Sequence, residues 1–514
     1  MVATKVKLGV SAGVGLLLCA IGLALIPAFN VLIHRTVEKQ LILEPSSYIY
    51  ENWKKPSDPI YMQYWLWDLQ NEYEFRNGDQ PAVLERGPYT YREYQTKHNI
   101  TWNANGTVSY RNVRQYVFIP EMSVGLENDT VKTINIPLVT IASMLKNMPS
   151  LIETLGEYIV DVLALADKET LIKTLSVKDI LWGYTDPIFK LIYEVTGTSF
   201  VPSPDFGLFL GQNDTDDGEF TVYTGKLDIN MLNIIDRWKG EDHLSWWSDM
   251  YANMINGTDA TLNPPFSNPS VMHYVFQSLV CRSLHGAFIG QKTVQNIAVD
   301  RFVSPAYEFA NPVDHPDNAG FCTPDVKHCL PSGFLNVSNC QQGAPIALSL
   351  PHYLYADPKY IPPNMNPNIE EHQTYLDAHR LTGITMRATK RMQVNVHVTA
   401  DPDTKITELS KVTEVFYPVL WLNESYVIGT KNANEFKDKV ERPIRITTIV
   451  QWTVFALGAF ILLVVCILAI RHCSEEKQTR DTQEEDNVVT RKKQPPTASS
   501  SDSARLLRDG PKVN

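Results

Sequence analysis

Seven cysteines are the first residues of this chain whose type and spacing could do chemistry. Cys19 and Cys466 fall within long apolar runs and Cys473 just beyond the second, leaving Cys281, Cys322, Cys329 and Cys340 in the polar middle. In an oxidising compartment an even set of four reads as two disulfides, with three connectivities that spacing alone leaves open. The competing reading is a zinc site completed by His328, but neither short cysteine spacing resembles the paired hooks that grip zinc. Cys466 and Cys473, thiols near a membrane surface, are candidates for palmitoylation, with plain reduced cysteine as the alternative.

Two further patterns invite a catalytic reading. Gly9-Val10-Ser11-Ala12-Gly13 matches the G-x-S-x-G elbow of serine hydrolases, but it lies in an apolar run with no strand before it. The same glycines fit G-x-x-x-G, which lets two membrane helices approach. Glu370, Glu371, His372, Asp377, His379 and Arg380 form a polar cluster that general acid–base chemistry could use. Nothing in the sequence makes them converge, so they read as a solvated loop. No H-E-x-x-H, phosphate-binding glycine loop or dinucleotide fingerprint occurs. The expectation is a protein that is not an enzyme and needs no cofactor or metal.

The elements that position these residues begin with two hydrophobic ends. Leu8 to Ile33 and Ile446 to Ile470 are each long enough to cross a bilayer, which needs roughly 20 helical residues. The first exceeds the apolar stretch of a cleaved signal, about 7–15 residues, and reads as an uncleaved anchor. Lys5 and Lys7 before it, and a charged tail after the second, place residues 1–7 and 471–514 in the cytosol, the tail disordered. His34, Arg35, Arg442 and Arg445 pull the other way. Sequons at Asn99, Asn105, Asn128, Asn213, Asn256, Asn336 and Asn423 all lie between the two runs, which assigns residues 34–445 to a glycosylated luminal or extracellular body. A net charge of −11 with no basic block excludes a nucleic-acid partner.

Within the body, His98–Trp102 and Val108–Phe118 bracket Asn105-Gly106, a hairpin turn dipeptide. Met392, Val394, Val396 and Val398 alternate with Gln393, Asn395 and His397, a strand polar on one face. Leu151, Leu155, Ile159, Val162, Leu163 and Ala166 recur at helical spacing, and no proline interrupts Ser150 to Thr185, so this stretch reads as a helical insertion. Its apolar stripe suits packing against a neighbouring helix, or alternatively an exposed binding face. Pro305 to Pro363 reads as a loop-rich region stapled to a sheet.

Several blocks in a fixed order resemble the class B scavenger receptors, most closely their lysosome membrane protein type 2 branch. They are Arg86-Gly87-Pro88-Tyr89-Thr90-Tyr91-Arg92, Leu181-Trp182-Gly183-Tyr184, Met254 to Asp259, Cys281-Arg282-Ser283, Asp317 to Cys322, Leu350-Pro351-His352-Tyr353 and Trp421-Leu422-Asn423-Glu424. The resemblance implies an α+β fold: a large antiparallel β-barrel-like ectodomain with an apical helical bundle over about 138–195, held by two terminal transmembrane helices. It also implies an apolar tunnel for sterols, phospholipids or other lipids, and the pairing Cys281–Cys340 with Cys322–Cys329. A third disulfide of many relatives would fall at Ala252 and Gly320, which carry no thiol here. That departure, shared with the lysosomal branch at the second position, favours that branch.

The tail agrees, because Asp502, Leu506 and Leu507 fit the acidic dileucine pattern read by sorting adaptors. The branch further implies a lysosomal hydrolase as cargo, bound at the apex through Leu155, Ile159, Val162 and Leu163, and homodimer contacts there. No histidine lies between Leu138 and Val195, so acid release through imidazole protonation in this bundle is excluded, leaving Glu153, Glu157, Asp161 and Glu169 as the titrating groups. The expected function is a lysosomal lipid receptor and transporter, also sorting a hydrolase. Its alternatives are a plasma-membrane scavenger receptor for lipoproteins, lipids or anionic particles, and a membrane-tethered hydrolase.

Overall fold

The computed structural model describes residues 2–166, 169–266, 268 and 273–492, so the dileucine motif lies outside the described residues. The chain divides into two compact units, one of Met1–Ile33 with Glu441–Asn514 and one of His34–Val440.

The first unit is two long helices, each apolar enough to cross a membrane. Helix Val2–Leu41 carries the first apolar run and helix Arg442–Lys492 the second. They touch where side chains are smallest: a Cβ on Gly22 would lie 2.8 Å from the Phe455 Cα, and one on Gly458 2.6 Å from the Cys19 nitrogen. Van der Waals contact between close backbones is what holds helices together in lipid, where hydrophobic burial gives nothing. Gly9 and Gly13 face open space instead, so the G-x-x-x-G reading fails for this pair of helices. The tail expected to be disordered from 471 continues as helix to Lys492. Residues 475–485 are mostly Glu, Gln, Lys and Arg, good helix formers.

The second unit is built on a thirteen-stranded antiparallel sheet. Its strands are β1 (Ile60–Leu69), β2 (Val83–Trp102), β3 (Thr107–Phe118), β4 (Glu219–Tyr223), β5 (Ile235–Trp238), β6 (His273–Gln277), β7 (Arg282–Val294), β8 (Ile297–Val303), β9 (Leu335–Asn336), β10 (Ile346–Ser349), β11 (Tyr375–Ala378), β12 (Thr385–Val398) and β13 (Val415–Val427). The order is β6-β7-β8-β11-β12-β13-β1-β2-β3-β4-β5, with β10 pairing one end of β12 and β9 pairing β10. The two edges nearly meet. Gly257 accepts from Ile235 N–H of β5, Thr258 exchanges hydrogen bonds with β6, and Trp238 packs on Phe276 at 5.4 Å between ring centroids. Closing a sheet in this way removes the exposed edges that invite aggregation.

The hairpin forms around Asn103–Gly106, with Trp102 opposite Val108 and Gly106 at φ 78°, a conformation natural to glycine. The strand at 392–398 also forms, but its polar face is not solvated. Gln393 and Asn395 are fully buried, and the Asn395 amide donates to Ala347 O and Ser349 Oγ, both at 3.0 Å.

The insertion over 150–185 is only partly helical. Helix Ser150–Ala166 is followed by strand Ile172–Ser176, which pairs with Thr130–Ile134 before helices Val177–Trp182 and Pro187–Thr196. The helix packs through Gly156, whose Cβ would meet Leu145, and through buried Val160. Leu155, Ile159 and Val162 are 61%, 52% and 62% exposed, and Leu163 is half-buried. The stripe is therefore not a helix–helix seam, contrary to the packing expectation. Polar groups hold the other face: Glu157 accepts from Thr404 and from Lys405 N–H, and Asp161 from Thr407 N–H.

Cys281 is bonded to Cys340 and Cys322 to Cys329, with Cα separations of 6.4 and 4.8 Å. Cys19, Cys466 and Cys473 are free.

Candidate functional site: the barrel interior

Alternation along the strands decides what the barrel encloses. On β2, Tyr89, Tyr91, Glu93, Gln95 and Lys97 are buried, while their neighbours face the other side. Tyr64 on β1 and Leu422 on β13 stand opposite one another within the core. The inward set is thus aromatic and aliphatic at one level and charged at the next.

A cavity of about 520 Å³ occupies the unit between helix Tyr50–Lys54, helix Thr430–Phe436 and the barrel strands. Trp53, Ile60, Leu262, Ile384, Ala388, Ile428 and Phe436 give it an apolar wall, and Gln95, Gln277, Lys390 and Glu424 bring polar groups to it. Glu424 and Lys390 face each other across β13 and β12 as an ion pair, and the Lys390 ammonium also donates to Gln277 at 3.4 Å.

Next to this pair lies a second group of charges. Arg114 on β3 is 3.6 Å from both Glu93 and Asp217, and the Gln95 amide donates to Glu93 Oε1 at 2.8 Å. Among the described residues, Glu93 Oε2, Asp217 Oδ1 and Asn112 Oδ1 accept no hydrogen bond. Burial, and then the nearby Glu424 charge, push the Glu93 carboxyl up to about 7, against the pull of Arg114. Glu424 goes the other way, because Lys390 and Arg114 outweigh its own burial. Of the two carboxylates, Glu93 is therefore the one that takes up a proton first as the pH falls. Lys97 is sealed further along β2, its ammonium donating to Trp53 O at 2.9 Å and lying over the Trp53 and Tyr110 rings; burial lowers its pKa.

The expectation of an apolar lining therefore holds for the cavity wall but not for the charged level. Sequence reading missed Glu93, Arg114, Lys390 and Glu424. Their signal was charges at inward positions of strands otherwise carrying Tyr, Met and Leu.

The acid–base cluster does not assemble: Glu370, Glu371 and Arg380 are exposed, as expected of a solvated loop, whereas His372, Asp377 and His379 are buried. Asp377 binds Arg301 and Arg380 binds Asp300, at 2.7 and 2.6 Å. His379 meets Thr382, and burial lowers its pKa to about 4. His372 stacks on His352 at 4.2 Å, and burial with the His352 charge lowers it to about 4. These groups brace β8, β11 and the loop over Trp421. Gly9 to Gly13 lie within a helix, not a strand-to-helix elbow. His328 contacts Asp325, and both cysteines near it are disulfide-bonded.

Of the sequon asparagines, Asn99, Asn105, Asn128 and Asn213 are exposed, while Asn256, Asn336 and Asn423 are half-buried. The Asn423 amide donates to Gln63 at 3.2 Å on the outer face of the sheet.

The chain thus combines a near-closed antiparallel barrel that holds a cavity with two terminal helices long and apolar enough to cross a membrane. A family model described as the CD36 family matches residues 13–469, and the chain belongs to that family, the class B scavenger receptors. It is 36% identical to lysosome membrane protein 2 of Mus musculus over 462 residues, covering 89% of this chain and 93% of the relative. It is 34% identical to scavenger receptor class B member 1 of Sus scrofa over 466 residues, covering 90% of this chain and 89% of the relative.

Proposed function

We propose that this protein is a two-pass glycoprotein of the lysosomal membrane, with both termini cytosolic, that binds and passes sterols or phospholipids through its barrel. The cavity of about 520 Å³ carries this reading, because it offers an apolar wall and a polar end to an amphiphile within a nearly closed sheet. Each methylene moved there from water gains about 0.8 kcal/mol, so transport needs no bond to be made or broken. No enzyme activity enters this reading. Likeness to a lysosome membrane protein and the dileucine pattern support the lysosome; likeness to a scavenger receptor keeps the plasma membrane as the alternative.

A second role rests on a different observation. The exposed row Leu155, Ile159 and Val162, flanked by Leu151 and Leu165, is an apolar helix face left uncovered among the described residues. It suits docking of a lysosomal hydrolase, or of a second copy of this chain.

Mass spectrometry of lipids extracted from the purified full-length protein tests the main reading. Sterol or phospholipid is expected at near one molecule per chain, and Ala388→Trp, which fills the cavity wall, is expected to remove most of it. Lipid-free wild-type protein, or full retention by the variant, counts against a barrel carrier.

A further inference from the structure

His352 and His372 are both buried, and their rings stack within 7° of parallel against Trp421 of β13. Each imidazole accepts a backbone N–H at Nδ1: Asn366 donates to His352 at 3.2 Å and Asn368 to His372 at 2.9 Å. A ring nitrogen that accepts a hydrogen bond carries no proton, so these two donors hold both rings neutral with the proton on Nε2. His352 Nε2 accordingly faces Glu85 Oε1, 3.6 Å away.

Both donors belong to one strap. Residues 366–371 are exposed without a break, between buried Met365 and buried His372. The Asn368–His372 bond closes the start of the one-turn helix Ile369–His372, in which His372 N–H donates back to Asn368 O at 2.8 Å. The strap's polar ties to the barrel are Asn366 N–H to His352 and Glu370 O, which accepts from Arg391 Nη1 of β12 at 2.9 Å.

A proton added to His372 Nδ1 turns that acceptor into a donor facing a donor, so the Asn368 bond must break. The charged groups around the ring are Glu85 on β2, Arg391 on β12, His352, and the exposed Glu370 and Glu371 of the strap itself. Trp67 of β1 and Trp421 of β13 bring no charge. Burial first, then a charge on His352, lower His372 to about 4 from an ordinary 6.5; Glu85 opposes this and Arg391 adds to it. The closed strap therefore binds this proton less well than the open one. Its closure is strongest above about 6.5 and is lost as the pH falls towards 4, the open fraction rising by up to about tenfold per pH unit.

We propose that His372, stacked on His352, is an acid-labile latch: proton uptake at its Nδ1 frees residues 366–372 and takes the cover off Trp421 as the surroundings acidify.

Hydrogen–deuterium exchange of the purified full-length glycoprotein in detergent at pH 7.4 and 4.5, corrected for the intrinsic rate at each pH, tests this. Opening of peptides within 364–373 is expected to rise at least about tenfold at the lower pH, with β12 and β13 unchanged within about twofold. His372→Gln, whose side-chain oxygen takes the Asn368 N–H without titrating, is expected to keep the two pH values within about threefold. Exchange of the His372 ring C2 hydrogen in wild-type protein gives its midpoint and decides the matter should the variant fail to fold; a midpoint below 6 is expected. A strap equally protected at both pH values overturns the proposal, as does an equal loosening of β12 and β13. So does the wild-type rise persisting in folded His372→Gln, or a ring midpoint at or above 6.5.

Discussion

Gly320 and Ala252 face one another so closely that a Cβ on the glycine would lie 3.0 Å from the Cβ of Ala252. Disulfides span Cβ separations of roughly 3.5–4.5 Å, so a small backbone shift accommodates one here, with Asp249 giving way. Ala252→Cys with Gly320→Cys is therefore expected to form a third bridge and raise stability by about 2–4 kcal/mol. Peptide mapping and melting temperature check this; two free thiols in a folded chain would show the alignment to be wrong.

Glu93 links stability to pH. Its folded carboxyl titrates near 7 against an ordinary 4.5, so the folded state holds this proton more tightly than the unfolded one. Its contribution is complete below about 4.5 and is lost as pH rises through about 7. Glu93→Gln, a permanent mimic of the protonated form, is expected to gain on the order of 1–3 kcal/mol relative to wild type between pH 5 and 8. Chemical denaturation at both pH values measures it, and an identical pH dependence in the two proteins would rule out Glu93 as the group responsible.

The exposed helix face separates partner binding from folding. Leu155→Asp with Ile159→Asp touches no core contact, so unfolding should move by no more than about 0.5 kcal/mol per site. Capture of a lysosomal hydrolase, or self-association in detergent, should be lost. A large fall in stability would mean that the face is covered within the chain.

In cells, Leu506→Ala with Leu507→Ala is expected to move the protein from lysosomes to the cell surface. Surface biotinylation reads the change, and unaltered distribution would remove the tail from the sorting argument.

The membrane helices were legible because a span demands about 20 apolar residues and nothing else in the chain offers them. The hairpin at 98–118 was legible from one turn dipeptide. Alternation on β12 gave the strand but not its surroundings, since β10, whose Ala347 and Ser349 pair with Asn395 and Gln393, arrives from elsewhere in the chain and both polar side chains end up buried. The charged level was illegible for a similar reason: period two assigns Glu93 and Glu424 to a face, but only the pairing of β2 and β13 on either side of β1 brings them to one another. The helical stripe showed amphipathicity without saying whether anything lay against it, and among the described residues Leu155, Ile159 and Val162 stay exposed.

Because β1 lies between β2 and β13, the earliest strand made must wait for the latest. At about 5–20 residues per second, translation leaves Ile60–Leu69 with one side unzipped for some tens of seconds. The newborn polypeptide must be guarded through that interval, and any truncation before Val415 forfeits the seam as well as the second anchor.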